Sequence, residues 1–174
     1  ILGRDDLKII SCHLGGSSSV SAVKNGKSVA NSFGMSAQTG LPHNNRVGDF
    51  DPFAIPMIME QTGKSLTEVL QVLASQSGLA GLSGTSGDAR DVSRAAEQGN
   101  ARAQLALDLF ATSVRNYLGA YLVELGGADV LVFTGGIGEN RFEFRNQVCR
   151  DLEMFGILLD PAANEETREE GRIS

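Results

Sequence analysis

With 174 residues, 41% hydrophobic content and a formal net charge of −6, the chain has the size to bury one ordinary core and the balance of an acidic globular protein. Its 15 Lys and Arg residues are scattered among 21 Asp and Glu residues, which excludes the basic stripe of a nucleic-acid binder. No apolar run approaches the length of a membrane-spanning helix, and the first residues carry neither a basic segment nor a cleavable apolar one, so no membrane partner and a cytoplasmic location are expected.

Residues 7–12, LKIISC, are apolar and β-branched and run into a Gly/Ser cluster, the pattern of a buried strand entering a loop. The following SVSAVKNGKSVANS centres on Asn25-Gly26, a hairpin signal that needs positive φ at both turn positions. Residues 33–51 are dense in Gly, Asn and Pro without periodicity and read as a long ordered loop, a type that often carries function. A helix is predicted after Pro52, and a second from the capping box of Ser65 and Glu68, both ending at glycine. GLSGTSGDARD reads as a further loop, before a helical stretch that breaks near Gly99 and resumes from Asn100 to about Leu125. In that last helix Leu107, Phe110, Val114, Leu118, Tyr121 and Leu125 recur at three- and four-residue steps as one apolar face. ADVLVF is then a buried strand running into TGGIGEN, FEFRNQVCRDLEMFG a helix, and ILLD a short strand, an α/β arrangement throughout.

Two glycine-rich segments that follow strands carry the chemistry. In HLGGSSS, His13, Leu14, Gly15, Gly16 and Ser17 present small residues that admit a ligand to the backbone, while the hydroxyls of Ser17, Ser18 and Ser19 suit anionic oxygens. In the second, Gly135, Gly136, Ile137, Gly138, Glu139 and Asn140 stand between a strand and a helix, where N–H groups favour an anion. Either one alone is equally well a tight turn; together they point to a nucleotide. Neither has the GK[ST] of a Walker loop or the GxGxxG spacing of a dinucleotide site.

Arg46, in NNRVGDFD, offers a rigid guanidinium fork suited to a phosphoryl group; the alternative is an Arg46–Asp49 pair that only holds the loop. Asp88, Ala89 and Arg90 stand before a helix, where capping and surface pairing compete with contact to an adenosine. Asp49 and Asp51 have no further support as metal ligands, and His13, His43, Cys12 and Cys149 do not make the cluster that zinc needs, so no metal site is expected here. The cysteines are too far apart in too large a chain to suggest a disulfide framework, and Cys12 reads as a buried hydrophobe.

In order along the chain, HLGGS, KNGKSV, NNRVGDFDP, DARD and GGIGEN resemble the HLGNG, KNGKSV, GTRSGDIDP, DxRD and GGIGEN segments of the acetate kinase (acetokinase) family. The resemblance covers essentially the whole chain. It implies an actin-like, ribonuclease H-type ATPase fold with a mixed sheet and flanking helices, in a protein of two related domains with the active site in the cleft. Residues 1–174 would be the carboxy-terminal, nucleotide-binding domain. It further implies transfer of a phosphoryl group from ATP to a short carboxylic acid such as acetate, propionate or butyrate, and formation of a homodimer. Residues 13–17 and 135–140 would then meet the phosphates, Asp88–Arg90 the adenosine, and Arg46 the transferring group. Mg²⁺ would be held by ligands outside this chain. Gly16, Asn44, Asn45 and residues 35–40 depart from the family pattern and bear on which acid is accepted. The start at Ile1 and the end after NEETREEGR look like the bounds of an excised piece.

Overall fold

The computed structural model describes residues 3–167 and 170–174. In chain order the elements are β1 (Lys8–Leu14), β2 (Ser18–Lys24), β3 (Lys27–Asn31), α1 (Ala54–Thr62), α2 (Leu66–Ser75), α3 (Gly78–Ser83), α4 (Ala89–Glu97), α5 (Ala101–Leu125), β4 (Val130–Thr134), α6 (Gly135–Asn140), α7 (Phe142–Cys149) and α8 (Pro161–Glu166). They fall into two compact units: the described residues of Ile1–Ser32 with Ala111–Ser174, and Phe33–Phe110.

The first unit holds a four-stranded mixed sheet in the order β3-β2-β1-β4. β1 is antiparallel to β2 and β2 to β3, while β1 and β4 run parallel. The β2–β3 turn needs left-handed backbone at two successive residues, and Asn25 (φ 53) with Gly26 (φ 74) supplies it. Alternation along the strands buries Ile10, Cys12 and Leu14 of β1 and Val20 and Ala22 of β2 on one face. β1 continues to Leu14 rather than ending at Cys12, because His13 and Leu14 pair with Ser19 and Ser18 across the hairpin. Val114, Leu118, Tyr121 and Leu125 of α5 are buried at the expected steps. Gly126 (φ 65) and Gly127 (φ 101) then stop the helix.

In the second unit Ser65 and Glu68 form the expected capping box at the start of α2. Leu41, Val69, Leu79, Val92, Ala103, Ala106 and Phe110 are buried. α2 stops at Ser75, before any glycine; Gly78 opens α3 instead. The first residues of the expected GLSGTSGDARD loop therefore belong to a helix, with Gly81 N–H on Ser77 O (3.0 Å) and Gly84 N–H on Ala80 O (2.9 Å).

Three other expectations change. GGIGEN, expected to stand between a strand and a helix, is itself the short helix α6. α7 ends at Cys149, short of the expected span, because the Arg115 guanidinium takes up Val148 O (2.7 Å) and Arg150 O (2.6 Å) and Asp151 turns left-handed (φ 60). ILLD is not a strand: no ladder reaches it among the described residues, and Asp160 instead caps α8 by accepting from the Ala163 N–H at 3.0 Å. Of the charged stretch 164–172, Asn164, Glu165 and Glu166 lie in α8, whereas Arg168 and Glu169 lie outside the described residues.

Candidate functional site

The first unit gathers both glycine-rich segments. Parallel neighbours end on the same edge of a sheet, and the register sets His13 opposite Thr134, with His13 Nδ1 3.0 Å from Thr134 Oγ1. Nothing in the sequence marks Thr134 beyond a hydroxyl at the end of a strand. Gly135 has φ 78, and a Cβ there would stand 2.6 Å from Leu14 O and 3.2 Å from His13 Cε1, so glycine is what lets the two segments touch. A Cβ at Gly15 would meet Ser17 O at 3.5 Å and His13 Nε2 at 3.8 Å, ordinary contacts that do not require glycine there.

Side-chain directions divide the expected residues. Leu14, Ile137 and Gly138 are buried, whereas His13, Gly16, Ser17, Gly136, Glu139 and Asn140 are exposed. Ser18 does not serve an anion as expected: it is fully buried, and its hydroxyl donates to Gly15 O (2.9 Å) and accepts the Gly15 N–H (3.2 Å), closing the turn. Ser19 is half-buried in β2, opposite His13. Within α6 the Gly135 N–H donates to Glu139 Oε1 at 2.9 Å, so an anion reaching that donor must displace a carboxylate. Asn140 Nδ2 donates to Gly136 O at 3.0 Å.

In the second unit residues 33–53 form the ordered loop, tied to the start of α3 by Leu79 N–H on His43 O (2.8 Å), Ala80 N–H on Asn44 O (2.9 Å) and Ser77 N–H on Asn45 O (3.0 Å). Arg46 is half-buried and donates from Nη1 to Ala37 O at 2.7 Å. Asp49 accepts the Gly40 N–H (2.8 Å) and Asp51 the Phe53 N–H (3.0 Å), so each carboxylate braces the backbone. His43 is 1% exposed and stacks on Phe33 with ring centroids 5.6 Å apart. Burial, then the nearby Arg46 charge, pushes its pKa down.

Asp88 caps α4, accepting the Arg90 N–H at 2.8 Å and the Arg90 Nε and Nη2 at 3.0 and 2.5 Å. The Arg90 hydrogen bonds hold this carboxyl at about 2. Ala89 is buried, which leaves Asp88 and Arg90 as the exposed side chains of the segment. A Cβ at Gly87 would stand 2.8 Å from Asn44 O, so the turn before Asp88 packs directly on the turn that carries Arg46. Among the described residues no group of three or more His, Cys, Asp and Glu side chains is placed to hold a metal ion, and no helix is long and apolar enough to cross a membrane.

The model of the acetokinase family matches residues 2–174. Acetate kinase of Staphylococcus aureus (strain JH9) is 49% identical over 161 residues, covering 92% of this chain and 40% of that protein. The crystal structure of Porphyromonas gingivalis acetate kinase superposes with a TM-score of 0.91 at 40% identity, over 95% of this chain and 42% of that one. A propionate kinase from Francisella tularensis subsp. tularensis SCHU S4 gives 0.88 at 36% identity, over 94% of this chain and 42% of its own. The chain thus spans about two fifths of the length of the relatives it matches.

Proposed function

Because this chain belongs to the acetokinase family, we propose that residues 1–174 are the carboxy-terminal, nucleotide-binding domain of a kinase that moves a phosphoryl group reversibly between ATP and a short carboxylic acid, acetate first. The observation that carries the reading is the contact of the two glycine-rich segments, Gly135 lying against the Leu14 carbonyl, which brings the main chain of 13–17 and of 135–140 to one edge of the β1–β4 pair. Two such turns from adjacent parallel strands offer N–H and hydroxyl donors to the phosphates of a single nucleotide. His13, steadied by Thr134, adds a donor at the same edge.

In this reading, as the family resemblance implies, the Arg46 fork neutralises charge on the phosphoryl group as it passes to the carboxylate oxygen, and the exposed Asp88–Arg90 pair meets the adenosine. Phosphoryl transfer rests on positioning and charge neutralisation more than on covalent steps by the protein. Mg²⁺ belongs to the proposal as a requirement of the full-length protein, with ligands outside this chain as the family resemblance implies. A homodimer and a cytoplasmic location complete the reading.

Propionate is the nearest second substrate, because a relative named as a propionate kinase superposes almost as well as the acetate kinase does. An acyl phosphate (hydroxamate) assay on the full-length protein with acetate, propionate and butyrate tests the proposal. ATP-dependent product with at least one acid is expected, and its absence with all three refutes kinase function in favour of a nucleotide-binding module without turnover. Light scattering at micromolar concentration should show a dimer, and monomer alone counts against that part.

A further inference from the structure

Arg145 is 4% exposed, and the proposed chemistry asks for no cation at its position. On one side its Nη1 donates to Gly138 O (2.9 Å) and Glu139 O (2.7 Å), carbonyls at the end of α6. On the other its Nε donates to Asn164 Oδ1 (2.5 Å) and its Nη2 to Asn164 O (2.6 Å). Asn164, fully buried in α8, is fixed in turn by donating from Nδ2 to Phe142 O (3.1 Å) and Asn146 Oδ1 (3.0 Å).

A six-residue helix cannot hold its own shape in water, because few of its N–H groups find partners within it. α6 is instead clamped from outside at both ends, by the Gly135–Leu14 contact at its start and by Arg145 at its finish. Building on the nucleotide reading above, we infer that Arg145, locked by Asn164, is the positioning residue that sets the main chain of residues 135–140 for the phosphates and so couples nucleotide affinity to α8. It touches no phosphate and acts through the carbonyls of Gly138 and Glu139. The rigid, planar fork is what the task requires: a lysine ammonium, a single point of charge, cannot serve α6 and Asn164 together.

The test compares Arg145→Lys and Asn164→Ala in the full-length protein with Arg115→Lys, which removes another carbonyl-gathering fork, one that serves α7 rather than α6. In the ligand-free protein the amides of 136–140 should exchange with solvent about tenfold faster in Arg145→Lys and Asn164→Ala, with β1 and β4 unchanged, the size expected for losing a charge-assisted hydrogen bond. Arg115→Lys should leave those amides as they were. The dissociation constant for ADP should rise about tenfold in the first two variants, with KM for the carboxylate changed less than about twofold. Unaltered exchange at 136–140, an equal rise across β1 and β4, or unaltered ADP affinity despite faster exchange would each overturn the inference. A wild-type protein that binds no ADP refutes the nucleotide reading, and the link to affinity with it; the exchange data then decide the clamp by themselves.

Discussion

Gly78→Ala should be far more damaging than Gly63→Ala, although both residues are left-handed, with φ 59 and φ 68. A residue with a Cβ loses roughly 1–2 kcal/mol in that conformation. At Gly63, which ends α1, nothing lies within 4 Å of the added Cβ, so that strain is the whole effect. At Gly78 the Cβ would overlap the His43 carbonyl oxygen and stand 2.6 Å from Arg46 O, and these are backbone atoms that no side-chain rotation moves aside. The turn must shift, weakening the hydrogen bonds of Ser77, Leu79 and Ala80 to residues 43–45, which contribute about 1 kcal/mol each. We therefore expect a loss of about 4 kcal/mol for Gly78→Ala against about 1 kcal/mol for Gly63→Ala. Equilibrium urea unfolding followed by circular dichroism measures both, and the effect of the methyl on the unfolded chain is common to the two and cancels. Values within about 0.5 kcal/mol of each other would refute the argument that Gly78 seats the Arg46 turn.

Arg46→Ala in the full-length protein should lower turnover about a hundredfold and leave ADP affinity within about twofold, as for a contact made in the transition state; an equal loss of nucleotide binding would return Arg46 to a loop-holding role. Asp88 has its pKa lowered from 3.8 to about 2, so its cap stabilises the folded state above the higher value and loses that contribution as pH falls through the lower one. A carboxyl chemical-shift titration reads the folded value directly, and Asp88→Asn should flatten the acid limb of stability while keeping the cap; a midpoint near 3.8 would refute the Arg90 pairing. Burial raises the thiols of Cys12 and Cys149 to about 12 and about 11, so a disulfide reagent at about pH 8 should label neither in the native chain within minutes and both in urea. Fast native labelling would contradict their burial.

The features legible in the sequence are those whose cause is local. Asn25 and Gly26 make their turn because of what those two residues allow, Ser65 and Glu68 cap α2 across one helical turn, and the apolar steps of α5 need only the helical period. The same locality exposed the two glycine-rich segments and the order of motifs that marks the family. What only the tertiary structure decided depends on residues remote in sequence. ILLD has the composition of a strand but no neighbouring strand to pair with among the described residues, and a ladder cannot form on one chain segment. Ser18 turns inward because Gly15 presents both a donor and an acceptor to it, where the sequence pointed it toward a ligand. Gly135 is confined to glycine by the Leu14 carbonyl, 121 residues earlier, and Gly78 by the turn at 43–46. Arg145 looks like one more charge on an exposed helix until α8 folds back and Asn164 gives its fork a second side; burial and hydrogen-bond partners are properties of the packed chain, and no reading of spacing supplies them.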